Sequence, residues 1–162
     1  MNGFGFQRTK GRLAGLGFAA IAVVAAIAVT GGVAAGTPAG SYRGDRAETE
    51  RFLSWYGSIE LTAEQESTRV QALAELPAPC CREYSAATCC CSCNMARAGW
   101  GLAKHLIVEQ GATAEQVRAE VAAWHRAINP GGFSGDACFT GGCGRPFAKN
   151  GCGGMKETEL VF

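Results

Sequence analysis

The feature that most constrains how this chain can fold is a cluster of cysteines in one short segment. Six of the nine cysteines fall within the fourteen residues 80–93, and they are Cys80, Cys81, Cys89, Cys90, Cys91 and Cys93. Adjacent Cα atoms lie about 3.8 Å apart, which is closer than the roughly 4.4 to 6.8 Å that an unstrained disulfide requires. The three consecutive cysteines therefore cannot pair with one another, and the odd total means that a monomer cannot pair them all.

The crowded thiols allow three interpretations. The favoured one is a site for a soft metal, copper or zinc, because Cu(I) and Zn(II) accept neighbouring thiolates that cannot bond to each other. The predicted metal ligands are Cys80, Cys81, Cys89, Cys91, Cys93, Cys138, Cys143 and Cys152. The second interpretation is a redox-active, catalytic dithiol of Cys90 and Cys93, because the start of a following helix stabilises a thiolate. The third is a set of disulfides that only staple a glycine-rich domain.

The N-terminus predicts export. Three basic residues precede an almost uninterrupted apolar run over 13–35, and this run can reach the about 20 residues that cross a bilayer as a helix. Val33 and Ala35 also fit a small-residue cleavage site. Residues 1–35 are therefore predicted to be either a cleaved signal peptide or a retained membrane anchor. In both cases the remainder of the chain is expected in the periplasm or another extracytoplasmic location.

The charge balance of the remaining chain narrows its partners. Beyond residue 35 there are twelve basic and fourteen acidic residues, with no basic stripe that alternates with aromatics, which argues against nucleic acid as a partner. No phosphate-binding loop or Ser-His-Asp order supports a nucleotide enzyme or a hydrolase. The expected partners are the membrane, through 13–35, and a protein that is either a subunit of a membrane complex or a redox client.

The pattern of apolar residues predicts a mainly α-helical domain. Three to four short helices are expected over 47–130, after a tether at 36–46 that is rich in small residues. A tail at 131–162 follows, and its first twenty-four residues contain nine glycines and three cysteines. Glycine loses much conformational entropy on folding. We therefore expect this tail to be irregular and to be held by contacts with the cysteines at 80–93.

Several residues mark the predicted helix ends. The tetrapeptide Thr-Ala-Glu-Gln, which fits the capping box that starts a helix, begins at Thr62 and again at Thr113. Between them, Asn94 is the predicted N-cap of a helix that Gly111 ends. Another helix is predicted over 47–56, and it precedes the first capping box.

The two histidines, His105 and His125, fall at the edges of apolar helix faces. We expect both to be structural rather than metal ligands. No Cys-x-x-Cys-His motif is present, which excludes covalent c-type haem. Trp100 and Trp124 are expected to pack between helices.

The segment that starts at Cys89 resembles two families. Cys89, Cys91 and Cys93 reproduce the C-x-C-x-C spacing of the exported bacterial proteins named for their Pro-Cys-Tyr-Cys-Gly-Cys motif, although the proline, tyrosine and glycine are replaced. The following helix, Gly111 and the next helix are similar to those proteins' cysteine-helix-glycine-helix unit. The Cys90 and Cys93 spacing is also similar to that of the membrane-anchored thiol reductases of cytochrome c maturation, without their flanking residues. Both resemblances imply exported thiol chemistry.

Overall fold

The computed structural model describes residues 41–162, and this part of the chain is mainly helical, as predicted. Its four α-helices are α1 (Arg46–Ser58), α2 (Ala63–Ala74), α3 (Asn94–Gln110) and α4 (Ala114–Ile128). Three single-turn 3-10 helices follow in the tail, at Gly142–Gly144, Phe147–Lys149 and Glu157–Glu159. Residues 41–162 contain no β-strand. The C-terminal region is cysteine-rich and irregular, as its composition indicated.

The predicted signal or anchor at 1–35 lies outside the described residues. Within 41–162, no helix is long and apolar enough to span a membrane. Helix α1 begins at Arg46, the last residue of the predicted tether. Tyr42, within the same segment, packs edge-on against Phe52 with the ring centroids 6.1 Å apart.

Two helix starts and one helix end follow the predicted local chemistry. At α2, the Gln65 backbone N–H donates to the Thr62 hydroxyl, and the Gln65 side chain accepts from the Thr62 N–H. The same capping box forms between Thr113 and Gln116 at the start of α4. Gly111 ends α3 with a φ of 61°, in the left-handed region that glycine adopts without strain. These three predictions are confirmed.

The predicted N-cap of α3 is wrong by one residue. Cys93 is the N-cap, and Asn94 is the first residue of the helix. The Asn94 amide instead donates hydrogen bonds of 2.8 Å to the backbone carbonyls of Gly153 and Lys156 in the tail. Because these partners lie about sixty residues further along the chain, local sequence rules do not anticipate this use of the side chain.

The helices pack around Trp124 and Phe52, whose exposed fractions are 0% and 1%. Their rings meet edge to face at a centroid distance of 5.6 Å, and burial of side chains of this size stabilises a fold by roughly 2 to 3 kcal/mol each. A Cβ on Gly101 would lie 1.9 Å from the Phe52 carbonyl oxygen. Only glycine therefore allows α1 and α3 to approach this closely. Trp100 is partly buried against the same core, and its indole N–H donates to the Ala86 carbonyl.

The tail is held against the start of α3 and against the loop that precedes it. The Met95 N–H donates to the Cys152 carbonyl at 3.2 Å, and the Cys138 N–H donates to the Cys80 carbonyl at 3.0 Å. Phe147, in the second 3-10 helix, is 1% exposed and adds an apolar anchor. These contacts bring two tail cysteines next to the cysteines of the loop.

Candidate metal centre

Seven of the nine thiol sulfurs converge at the start of α3. They form three groups of three, and within each group every sulfur lies within 4.8 Å of the other two. The inner group is Cys80, Cys89 and Cys93; the middle group is Cys80, Cys138 and Cys152; the outer group is Cys81, Cys90 and Cys138. Each group is the kind of sulfur set that could hold a metal ion.

The sulfur spacing in these groups matches metal ligation rather than disulfide bonding. The Sγ atoms of Cys80 and Cys89 lie 3.6 Å apart, and so do those of Cys90 and Cys138. A disulfide bond is about 2.05 Å long, and all nine cysteines are free thiols. Two thiolates on one tetrahedral ion with bonds of about 2.3 Å would lie about 3.8 Å apart. The observed distances are close to that value.

The loop before α3 places the first sulfurs. Pro77 and Pro79 follow the end of α2, where proline cannot continue a helix. The loop then returns on itself, because the Ala78 N–H donates to the Tyr84 carbonyl at 3.0 Å. As a result the cysteines at 80 and 81 face those at 89 and 90 across the loop, and Cys93 follows as the N-cap of α3.

Burial distinguishes the outer group from the other two. Cys93 and Cys152 are 0% exposed and Cys80 is 1% exposed. Cys138 is half-buried and Cys90 is exposed. The inner and middle groups therefore each have two buried sulfurs and one half-buried sulfur, whereas the outer group has one exposed ligand that solvent or a partner can reach.

Hydrogen bonding favours the anionic form of one cysteine. The pKa of Cys93 is held far below the ordinary value, mainly by hydrogen bonds that its sulfur accepts from the thiols of Cys152, Cys80 and Cys89. The backbone N–H of Ala96, in the first turn of α3, adds to this effect. The lowered pKa favours the thiolate of Cys93, which is the form that binds metal ions.

The neighbouring thiols keep their protons more strongly than usual. Burial, followed by the hydrogen bond with Cys90, raises the pKa of Cys138 to about 11. The pKa of Cys80 is also raised, first by its hydrogen bond with Cys152. Because a metal ion requires thiolates, its binding would release these protons to solvent.

Not all of the predicted site residues belong to the three sulfur groups. Cys143 and Cys91 belong to none of the sulfur groups found in residues 41–162. Cys90, predicted as a redox residue rather than a ligand, lies in the outer group, whereas Cys93 lies in the inner group. The pairing of Cys90 with Cys93 as a redox dithiol stays a prediction.

Both histidines pack against aromatic rings. His105 stacks on Trp55 with the centroids 3.7 Å apart and the planes 4° from parallel. His125 packs between Trp124 and Phe133, and burial lowers its pKa to about 4. Neither histidine belongs to a potential metal group within the described part of the chain.

Together, the fold and the site define a small cysteine-rich helical domain whose thiol groups could hold a metal ion. Comparisons with known protein families, curated proteins and solved structures find no match for this chain.

Proposed function

We propose that this protein binds a soft metal ion, copper or zinc, through a cysteine thiolate cluster. The observation that carries the proposal is the convergence of seven sulfurs from the loop before α3 and from the tail, with the sulfurs of each group within 4.8 Å of one another. Thiolate is the ligand that selects soft metals. Most of the sulfurs have no other evident task, because they form no disulfide in the structure.

The number of sulfurs in each group favours copper over zinc. Structural zinc sites are almost always tetrahedral, with four ligands. The groups found in residues 41–162 have three sulfurs each, and Cu(I) forms stable trigonal complexes with thiolates. Copper is therefore the metal that we expect the protein to prefer.

The alternative of thiol-disulfide exchange through Cys90 and Cys93 fits the geometry less well. A reactive cysteine needs both a low pKa and access to its client. Cys93 has the low pKa but is fully buried, whereas Cys90 is exposed. A buried sulfur that favours the thiolate form and is surrounded by other sulfurs is better suited to a cation than to another protein's disulfide.

We also propose that this domain lies outside the cytoplasmic membrane. The basic and apolar N-terminal sequence supports that location, and residues 13–35 would attach the domain to the membrane if they are retained. There the protein would either carry the metal to a protein partner or use it to stabilise its own fold.

The metal content of the purified protein tests the proposal. Protein prepared without oxygen and without chelator should contain copper or zinc in at least equimolar amount by elemental analysis. Replacing Cys93 with serine should lower the metal content, because this residue supplies one of the three sulfurs of the inner group. Replacing Cys143, which lies outside all three groups, should leave the metal content unchanged. Metal-free protein with four disulfides by intact mass would contradict the proposal.

A further inference from the structure

The arrangement of the three sulfur groups points to more than one metal ion. We propose that the cysteines hold a cluster of three Cu(I) ions, one in each group; this inference rests on the proposed copper binding. Cys80 would bridge the inner and middle ions, and Cys138 would bridge the middle and outer ions, because each of these residues belongs to two groups.

The reach of one ion supports several positions. With metal-sulfur bonds of about 2.3 Å, two ligands of the same ion can lie at most about 4.6 Å apart. The seven sulfurs fall into three separate groups within 4.8 Å rather than into one. A single ion would therefore use one group and leave the other sulfurs without a metal.

The doubled cysteines in the sequence fit a cluster of this kind. Cys80 and Cys81 are adjacent in the chain, as are Cys89 and Cys90, yet the structure separates each pair. The first member of each pair lies in the inner group, and the second lies in the outer group. Each doublet therefore offers one sulfur to each of two ion positions, which a single site would not need.

The tail supplies the sulfurs that link the inner and outer groups through the middle group. Cys138 contributes to the middle and outer groups, and Cys152 completes the middle group. The backbone bond from the Cys138 N–H to the Cys80 carbonyl, 3.0 Å long, holds the two shared cysteines side by side. On binding, each thiol loses its proton to solvent while copper remains Cu(I), so no electron is transferred.

The number of bound ions tests the cluster directly. The reduced protein would be titrated with Cu(I) without oxygen, and native mass spectrometry would count the ions. The wild type should saturate at three. Replacing Cys89 with serine removes a sulfur from one group and should lose one ion. Replacing Cys138 removes a shared sulfur and should lose two, whereas the Cys143→Ser control should keep all three.

The outcomes separate this inference from the proposed function. A wild type that binds one or two ions would overturn the three-ion cluster and leave copper binding intact, whereas a wild type that binds none would overturn both. An equal loss in the Cys89 and Cys138 variants would overturn the sharing of Cys138. Copper X-ray absorption of the unmutated, loaded protein gives a second measurement that needs no variant to fold. Copper-copper scattering supports shared sulfurs, and its absence contradicts them.

Discussion

The side chain of Asn94 links the tail to the metal centre, and its removal gives the most informative perturbation of the fold. This side chain is fully buried and donates two hydrogen bonds of 2.8 Å, to the carbonyls of Gly153 and Lys156. The next residue, Met95, binds the Cys152 carbonyl through its N–H. Asn94→Ala should therefore loosen the segment that carries the Cys152 sulfur.

The expected loss of stability follows from the number of bonds. Each hydrogen bond contributes about 1 kcal/mol net, and a buried acceptor left without a partner costs about 1 to 3 kcal/mol. We therefore expect Asn94→Ala to lower the free energy of unfolding by about 2 to 4 kcal/mol. Urea unfolding of the reduced, metal-free protein, followed by circular dichroism, would measure this change.

Asn129 provides a matched control. It is also buried, at 5% exposure, but it donates a single bond of 3.1 Å to the Gly132 carbonyl, in a turn without cysteines. Asn129→Ala should cost about 1 kcal/mol and should not alter metal binding, whereas Asn94→Ala should weaken it. Equal losses of stability in the two variants, or unchanged metal affinity in Asn94→Ala, would refute this account of how the tail is held.

Three further predictions concern helix packing, pH and metal. Gly101→Ala should destabilise the fold by about 1 to 3 kcal/mol through overpacking against Phe52, whereas Gly57→Ala, with open space around its Cβ, should stabilise α1 by up to about 1 kcal/mol; urea unfolding distinguishes the two signs. Burial lowers the pKa of His105 from 6.5, so this histidine binds a proton less readily in the folded state than in the unfolded state. The free energy of unfolding should therefore decrease as the pH drops below 6.5. In metal-free protein, this decrease should be shallower in His105→Gln. Removing the metal with a competing chelator should lower the urea midpoint, and the free energy of unfolding should fall by about 4 kcal/mol for each ion whose free concentration had stood at a thousand times its Kd; Cys93→Ser, which lacks one sulfur of the inner group, should show a smaller fall.

The helices were largely predictable because their ends are encoded locally. The capping boxes at Thr62 and Thr113 and the left-handed Gly111 each depend on residues within one turn. The start of α3 was misplaced by one residue for the opposite reason. Asn94 has the chemistry of an N-cap, but its side-chain amide instead donates hydrogen bonds to carbonyls about sixty residues away.

The candidate site was predictable in kind but not in detail. Adjacent cysteines that cannot pair indicated several ligands for a soft metal, and the structure supports a site of this kind. The sequence could not show that Cys138 and Cys152 join the cluster while Cys143 stays outside it, since that depends on the path of a glycine-rich tail. Nor could it show that Cys90 lies in a sulfur group apart from Cys93.

Alkylation footprinting of the cysteines tests the central claim most directly. Cys89, Cys90 and Cys138 are partly or fully exposed and lie in the sulfur groups, whereas Cys143 is similarly accessible and lies outside them. Brief alkylation of reduced protein, with and without Cu(I), followed by peptide mass spectrometry, would compare their reactivity. The account predicts that copper protects the first three residues and leaves Cys143 unchanged. If copper left the labelling of all four cysteines unchanged, the result would contradict this account.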